Sequence, residues 1–215
     1  MNQGSVEQLH HGIARLKLDH LPAGTEEKLH AYLALLAKWN LTYNLTAVRD
    51  EAAMISQHLL DSLAVLPHLQ VSAVDVHSLV DVGSGGGLPG IPLAIARPRM
   101  AVALIESSHK KASFLQQAKI ELGLKNVSVH CVRVEDLATV ELFEVAISRA
   151  FSSLAEFVRL SSHLLLPGGC LLAMKGVLPH QEIEQLPVGW RVARSIPLAV
   201  PGLQAERHLI VVERT

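Results

Sequence analysis

LVDVGSGGGLPG, residues 79–90, joins a short apolar run to a cluster of glycines and decides the fold. Val80 and Val82 flank Asp81 in a pattern that is typical of a buried parallel β-strand. The glycines that follow carry no Cβ, so the backbone can approach a ligand closely, and a helix that begins after them points its unpaired N–H groups at the same place. We therefore predict a cofactor loop of the nucleotide-binding type between this strand and this helix.

The glycine spacing alone leaves the cofactor open. Gly85, Gly87 and Gly90 match the G-x-G-x-x-G pattern of dinucleotide-binding proteins, but one such match is weak. Asp81 before the first glycine favours S-adenosylmethionine over a nicotinamide cofactor, because a carboxylate attracts an ammonium group and repels a pyrophosphate. A glycine-rich turn that only packs a helix against a sheet is the structural alternative. We expect Asp81, Gly83, Gly85 and Gly87 to bind the cofactor.

Further polar residues follow the next predicted strands. The apolar run 102–105 ends at Glu106, where nucleotide-binding folds place an acid that accepts hydrogen bonds from ribose. A solvated acid at a strand end is the alternative. Parallel strands gather ligands at their carboxyl ends. The residues expected to converge there are Asp81, Glu106, Glu135, Arg149 and Lys175.

Helical spacing dominates the first third of the chain, and strands alternate with helices after it. One apolar stripe predicts a helix from residue 25 to about 40, and Asp50 is typical of the N-cap of another. Residues 1–72 should form a helical cap, and residues 73–215 an α/β core that is compact with it. Predicted strands are 79–82, 102–106, 127–134, 144–149 and 170–175, with helices from 89, over 109–122 and over 153–166. The runs 196–200 and 208–212 predict an antiparallel final hairpin, the usual ending of a methyltransferase sheet.

Composition agrees with one globular unit. The 215 residues are 49% hydrophobic and 18% charged, which is enough to bury a core without disulfides or metals. The chain has neither an apolar run long enough for a membrane span nor the pattern of a signal peptide, so we expect no membrane contact and a cytoplasmic location. Cys131 and Cys170 should be buried, reduced thiols, and the histidines show no metal spacing. We predict no metal.

The charge pattern says little about partners. A net charge of −1 gives no general argument for nucleic acid. The surplus of lysine and arginine over residues 97–125 either meets a phosphate backbone or forms a solvated helix face.

Two methylation chemistries lack their usual residues. Enzymes that methylate amino nitrogens use a Pro-Pro motif, which the chain does not contain, and enzymes that methylate pyrimidine carbon-5 need a nucleophilic cysteine. Neither cysteine is predicted at a strand end that would activate it. A ring nitrogen such as guanine N7 already carries a lone pair and needs no base, so positioning and fixed polar groups are sufficient.

Six motifs in order carry a family resemblance. They are WNLTYNLTAVRD (39–50), HLLDSL (58–63), DVGSGGGLPGIPLAI (81–95), SRAFSSL (148–154), MKG (174–176) and ERHLIVV (206–212). With them the chain resembles the RsmG (GidB) family of bacterial 16S ribosomal RNA guanine-N7 methyltransferases. The resemblance implies a Rossmann-like class I methyltransferase fold with a seven-stranded sheet, S-adenosyl-L-methionine as methyl donor and S-adenosyl-L-homocysteine as product. It implies as substrate guanine 527 of the 530 loop, in 16S rRNA, the small ribosomal subunit or its assembly intermediate, without an obligate protein partner.

The resemblance also implies roles for single residues. Gly83 and Leu88 would line the cofactor loop, Val134 and Glu135 the adenine, and Arg149 the site floor near cofactor and target base. Residues that match family motif positions, expected around the guanine, are Asn44, His58, Asp61 and Lys175.

Alternatives remain for several of these residues. Arg149 is alternatively a structural partner of Asp61 or Glu135, and His58 a helix-packing histidine. Lys110 and Lys111 replace a Lys-Arg pair of the family, which keeps the charge for RNA phosphate contact and loses a planar fork. Trp39, Tyr43 and Phe151 are candidates for stacking on a base, with core packing as the alternative for each.

Other functions share the cofactor argument. The enzyme could methylate another RNA or a small molecule, or the protein could bind S-adenosylmethionine or the ribosome without turnover. A dehydrogenase is the residual alternative.

Overall fold

A computed structural model of the chain describes residues 3–71, 74–137, 141–149, 151 and 153–215. The first part is helical. It contains α1 (Gln3–Arg15), α2 (Thr25–Tyr43), α3 (Glu51–Met54), a π-helical segment (Ile55–Leu60), α4 (Asp61–Leu63) and a 3-10 turn (Leu66–His68). A two-stranded ribbon, β1 (Gln70–Val71) and β2 (Val74–Asp75), follows.

The second part is a seven-stranded sheet with helices between its strands. The strands are β3 (Ser78–Val82), β4 (Ala101–Ile105), β5 (Val127–His130), β6 (Phe143–Arg149), β7 (Leu165–Lys175), β8 (Trp190–Pro197) and β9 (His208–Arg214). The helices are α5 (Gly90–Ala96), α6 (His109–Glu121), α7 (Leu154–Ser161) and α8 (His180–Glu184), with 3-10 turns at Val134–Asp136 and Ser162–Leu164.

The strand order confirms the predicted fold class. It is β5-β4-β3-β6-β7-β9-β8, with β3 to β7 parallel and β9 antiparallel to both β7 and β8. The final hairpin therefore inserts its second strand between the parallel strands and its own first strand. Such a sheet presents the carboxyl ends of β3, β4, β6 and β7 at one edge.

Several predicted boundaries were wrong. β5 ends at His130 instead of residue 134, because its pairing with β4 stops there, and Val134 lies in a 3-10 turn. The helix after Ser153 ends at Ser161 instead of residue 166, and β7 begins at Leu165. Asp50 is confirmed as an N-cap, since its Oδ1 accepts a hydrogen bond from the Ala53 N–H at 2.8 Å.

The centre of the sheet is buried on both faces. Alternate strand residues point to opposite sides, so Leu79 and Leu104 belong to one apolar cluster and Val80 and Ile105 to the other. The first cluster includes side chains of α2, α5 and α6, and α7 covers the second. The helical first part thus packs on one face of the sheet.

The division into residues 1–72 and 73–215 stays a prediction. Residues 72 and 73 lie outside the described residues, and one apolar cluster joins side chains from both sides of that boundary. No helix within the described ranges combines the length and apolar character that a membrane span requires.

Candidate active site

The glycine loop follows β3 and has a left-handed backbone at three positions. Gly83, Gly85 and Gly87 have φ values of 72°, 57° and 85°. A Cβ at Gly83 would meet no described atom within 4 Å, and one at Gly85 only the Gly83 carbonyl oxygen at 3.9 Å. A Cβ at Gly87 would lie 2.5 Å from Cδ1 of Ile91. The first two glycines thus border open space that suits a ligand, whereas Gly87 permits helix packing, contrary to the expectation that all three clear the ligand.

Asp81 lies beneath this loop and is fully buried. Its Oδ2 accepts a hydrogen bond from the Gly90 N–H at 2.9 Å, at the beginning of α5. Its Oδ1 is buried and has no partner among the described atoms. Burial raises the pKa of Asp81 to about 7, and the Gly90 N–H and the charge of Arg149 oppose this shift. The carboxyl therefore fixes the helix to the strand and keeps one oxygen unsatisfied.

Glu106 joins the ends of two strands. It lies directly after β4 and is 7% exposed. Its Oε2 accepts from the Gly85 N–H at 2.9 Å and its Oε1 from the Ser108 N–H at 2.8 Å. Each oxygen retains a second lone pair for a ribose hydroxyl, so the carboxylate can hold the loop and a nucleoside together.

Helix α2 borders the other side of the loop, an arrangement that no local pattern predicted. The Tyr32 hydroxyl donates to the Gly86 carbonyl, and both groups are buried. A Cβ at Gly86 would lie 3.2 Å from Cδ1 of Leu36 and 3.8 Å from the carbonyl oxygen of Leu45. The helical first part therefore forms a wall of the candidate cofactor site.

A buried acid lies between two arginines at the end of β6. Asp61 has a side chain that is 2% exposed, and its Oδ2 is 3.4 Å from Nη1 of Arg149. Its Oδ1 accepts from Nε of Arg207 at 3.1 Å. Burial raises the pKa of Asp61, and the two guanidinium groups oppose this shift. Asp61 is thus the partner of Arg149, as one of the two structural alternatives predicted. The other predicted partner, Glu135, instead has its Oε1 3.9 Å from Nη1 of Arg133.

Arg207 is the residue that sequence reasoning missed. It belongs to the quoted motif ERHLIVV, where a charge directly precedes the apolar run of β9. Its side chain is 25% exposed, as is that of Arg149. Arg149 also donates from Nη1 to the Gln57 carbonyl at 2.9 Å. The two arginines are thereby held in place and still reach the surface.

His58 lies on the π-helical segment and is 4% exposed. Its Nε2 lies 2.8 Å from Oγ1 of Thr46. Burial lowers the pKa of His58 to about 4, and the charge of Arg149 acts in the same direction. The ring is therefore neutral at physiological pH, which suits the helix-packing alternative. Asn44 is exposed, ends α2 with φ of 50°, and accepts at Oδ1 from Nη2 of Arg49 at 3.4 Å.

Lys175 ends β7 and is held by an ion pair. Its Nζ lies 2.8 Å from Oε2 of Glu182 and donates to the Phe151 carbonyl at 3.3 Å. Its side chain is 12% exposed. The amine is therefore committed to α8 and the segment before α7.

The remaining predicted residues are dispersed. Leu88 and Val134 are buried, and Glu135 is exposed in the 3-10 turn, beyond rather than at a strand end. Lys110 and Lys111 lie in the first turn of α6, the first exposed and the second half-buried.

The cysteines correct two expectations, because one of them is neither buried nor away from a strand end. Cys170 is buried, and burial raises the pKa of its thiol to about 11. Cys131, in contrast, is half-buried at the end of β5, with Sγ 3.2 Å from Nδ1 of His109. Both are free thiols. Within the described part of the chain, no three histidine, cysteine or acidic side chains lie close enough to hold a metal ion.

The candidate site thus has two halves, which lie at the carboxyl ends of the parallel strands. The loop half contains Asp81, Gly83, Gly85 and Glu106, and the charged half contains Arg149, Asp61 and the unpredicted Arg207, with the neutral His58 close enough to feel the charge of Arg149. Parallel pairing of β3 with β4 and with β6 joins them. Glu135 and Asn44 are not drawn into either half by a described hydrogen bond.

Comparisons with known proteins show which family and which fold this chain shares. The family model described as rRNA small subunit methyltransferase G (GidB) matches residues 25–210. The ribosomal RNA small subunit methyltransferase G of Aromatoleum aromaticum is 56% identical in an alignment over 214 residues that covers 98% of this chain and 99% of that protein. The protein of the same name from Azoarcus sp. is 57% identical over 203 residues, covering 94% and 93%. The solved glycopeptide N-methyltransferase MtfA, complexed with S-adenosylmethionine, has a TM-score of 0.61 at 13% identity over 74% of this chain and 95% of its own, which shows a shared fold alone.

Proposed function

This chain belongs to the rRNA small subunit methyltransferase G family, and we propose that it transfers a methyl group from S-adenosylmethionine to N7 of a guanine in 16S ribosomal RNA. The match of the family model over residues 25–210 carries the proposal, because it spans both halves of the site. The methylated position follows the family.

The glycine loop fits this cofactor. Gly83 and Gly85 leave open space, and Glu106 retains acceptor capacity for ribose hydroxyls. The unsatisfied Oδ1 of Asp81 suits the ammonium group of the methionine moiety, through a water because the acid is fully buried. S-adenosylmethionine supplies a methyl group activated by a sulfonium. Leu88, Gly87 and Val134 would support the pocket by packing.

The charged half fits a reaction that needs no general base. Guanine N7 attacks with its own lone pair, so orientation of the base and fixed polar groups supply the catalysis. We infer that Arg149 contacts the base or its phosphate with its exposed edge, and that Asp61 holds Arg149 and Arg207 in position. The neutral His58 supports the π-helical segment and takes no proton.

The RNA would have to present an accessible base. Duplex RNA hides guanine N7 in a deep and narrow groove, so a loop base or an assembly intermediate is the substrate that we propose. Lys110 and Lys111 would contact phosphates, and no obligate protein partner is proposed. A cytoplasmic location belongs to the same proposal, because small ribosomal subunits are assembled there.

The test is chemical mapping of the product. The protein and S-adenosylmethionine are incubated with small subunits from cells that lack the enzyme, and N7-methylguanine is located by borohydride and aniline scission. One new cut in the 530 loop is the expected result. Cofactor binding without a cut would refute the substrate, and binding of NADH instead of S-adenosylmethionine would refute the enzyme class.

Two glycine variants test the cofactor site. Gly85→Val puts a side chain into the loop, and we expect it to weaken S-adenosylmethionine binding by about tenfold or more in a calorimetric titration. Gly123→Val is the matched control, since φ is 57° at Gly85 and 63° at Gly123, and a Cβ at Gly123 meets no described atom within 4 Å. Both variants carry similar backbone strain, so equal losses of affinity would exclude a specific role of the loop.

A further inference from the structure

The packed face of α2 continues beyond the core as an aromatic surface. Tyr32, Leu36, Trp39 and Tyr43 follow helical spacing along one stripe. Tyr32 and Leu36 are fully buried, Trp39 is half-buried, and Tyr43 is 42% exposed. The stripe that anchors α2 to the sheet therefore ends in an exposed phenol ring.

That ring is held by a chain of aromatic contacts. The Tyr43 ring centroid lies 5.2 Å from that of Trp39, with 34° between the planes. The Trp39 centroid lies 5.6 Å from that of Phe114, which is fully buried on α6. Because the core fixes this chain, little conformational entropy is lost when another ring stacks on Tyr43.

Basic groups lie on α6, which carries Phe114, and after the end of α2, which carries Trp39 and Tyr43. Lys110 precedes Phe114 by one helical turn and so lies on the same face of α6. Lys111 is the residue directly after Lys110. Arg49 reaches back to the end of α2, where its Nη2 is 3.4 Å from Oδ1 of Asn44. We define the α2–α6 patch as Tyr43, Arg49, Lys110 and Lys111.

This patch adjoins the cofactor loop. The chain after Tyr43 returns at Leu45 to the loop, since a Cβ at Gly86 would lie 3.8 Å from the Leu45 carbonyl oxygen. At the start of α6, the Ser108 N–H shares the Glu106 carboxylate with the Gly85 N–H. Both ends of the patch therefore border the place where the methyl donor is proposed to bind.

We propose that the α2–α6 patch binds an unpaired nucleotide of the substrate RNA next to the target guanine. Tyr43 stacks on its base, and Lys110, Lys111 and Arg49 contact the neighbouring phosphates. An exposed aromatic ring with three cations matches the flat bases and negative backbone of single-stranded RNA. This inference rests on the proposed function, because it takes the substrate to be RNA.

Direct binding measures the inference separately from methylation. The probe is an RNA hairpin with the target loop sequence, in which 2-aminopurine replaces a base beside the guanine. We expect Tyr43→Ala to weaken hairpin binding by about five- to 150-fold, the range for loss of one base–aromatic stack, and to abolish the quenching of 2-aminopurine fluorescence. Tyr43→Phe keeps the ring and recovers most of the affinity. In the double variant Lys110→Gln with Lys111→Gln, the slope of the logarithm of the binding constant against the logarithm of salt concentration should become shallower by about one for each phosphate contact that is lost.

Leu41→Ala is the matched control. Leu41 is 82% exposed on the same helix but lies on the side away from the stripe, so its loss leaves hairpin binding unchanged. S-adenosylmethionine affinity, measured in parallel, stays at the wild-type value in the Tyr43 variants, and an equal fall of both affinities would make Tyr43 structural only.

The outcomes separate the two proposals. If the wild-type protein methylates subunits and Tyr43→Ala binds the hairpin with the same affinity as Leu41→Ala, the proposed patch is wrong and the proposed function stands. A wild-type protein that binds the hairpin through Tyr43 without methylating it or the subunit overturns the function and leaves the patch. A defect of Tyr43→Ala with intact subunits but not with the hairpin would assign the patch to a ribosomal protein and overturn the inference.

Discussion

Gly90→Ala tests the contact between the first parallel strand and α5. A Cβ at Gly90 would lie 2.4 Å from Cδ2 of Leu104 and 2.7 Å from Oδ2 of Asp81. Leu104 and Asp81 are fully buried, so neither can move aside into solvent. The added methyl group must therefore separate helix from strand.

Two costs and one gain set the magnitude. Overpacking of a core contributes about 1–3 kcal/mol. Lengthening the 2.9 Å hydrogen bond from the Gly90 N–H to Asp81 leaves a buried carboxyl with a weaker partner, which costs about 1–3 kcal/mol. Alanine is the better helix former by about 1 kcal/mol. The free energy of unfolding should therefore fall by about 3 kcal/mol, which lowers Tm by about 6–12 °C for a chain of this length.

The assay is thermal and urea unfolding of the protein without cofactor, followed by calorimetric titration with S-adenosylmethionine. Gly176→Ala is the control, because the nearest atom to a Cβ there is the Glu206 carbonyl oxygen at 3.9 Å. We expect the control to match the wild type in stability. A Gly90→Ala variant with wild-type Tm and cofactor affinity would refute the close approach of Asp81 and α5.

Two pH effects follow from the buried titratable groups. The pKa of His58 falls from 6.5 to about 4 on folding, so the unfolded chain takes up a proton first as the pH is lowered. Protonation of the unfolded chain therefore lowers the free energy of unfolding by about 3 kcal/mol as pH falls from 6.5 to 4. His58→Gln should abolish that loss, as measured by urea unfolding at a series of pH values. The pKa of Asp81 rises from 3.8 to about 7, so its contribution is complete below pH 3.8 and is lost as pH rises to 7. Asp81→Asn should therefore gain about 3 kcal/mol in free energy of unfolding relative to wild type between pH 4 and 7. Parallel pH curves for the two proteins would contradict the burial of a protonated acid.

The strand boundaries that failed did so because an apolar run and strand pairing need not end at the same residue. β8 begins at Trp190, six positions before the predicted 196, and most of its residues are exposed because it forms the edge of the sheet. An exposed edge strand gains its hydrogen bonds from a neighbour and needs no apolar run. β5 was predicted too long for the opposite reason, since apolar residues such as Val132 continue the pattern after pairing with β4 has ended.

Site residues were predictable where backbone geometry dictates residue type. The positive φ values at Gly83 and Gly85 favour glycine, and the backbone N–H groups that meet at Glu106 favour a carboxylate there. Arg207 was not predictable in this way, because its partner Asp61 is 146 positions away.

The sequence by itself determined the order of the seven sheet strands, the helices between the parallel ones, the glycine loop and the family, since periodicity, glycine spacing and motif order are properties of neighbouring residues. It did not locate α1, α8 or the ribbon of β1 and β2. Only the tertiary structure decided that Asp81 is buried beneath the loop, that α2 forms a wall of the site, and that Asp61 lies between Arg149 and Arg207. These facts depend on burial and on contacts between distant segments. Whether a charge is exposed, paired or desolvated is set by the neighbours that folding brings to it, and the local sequence does not contain them.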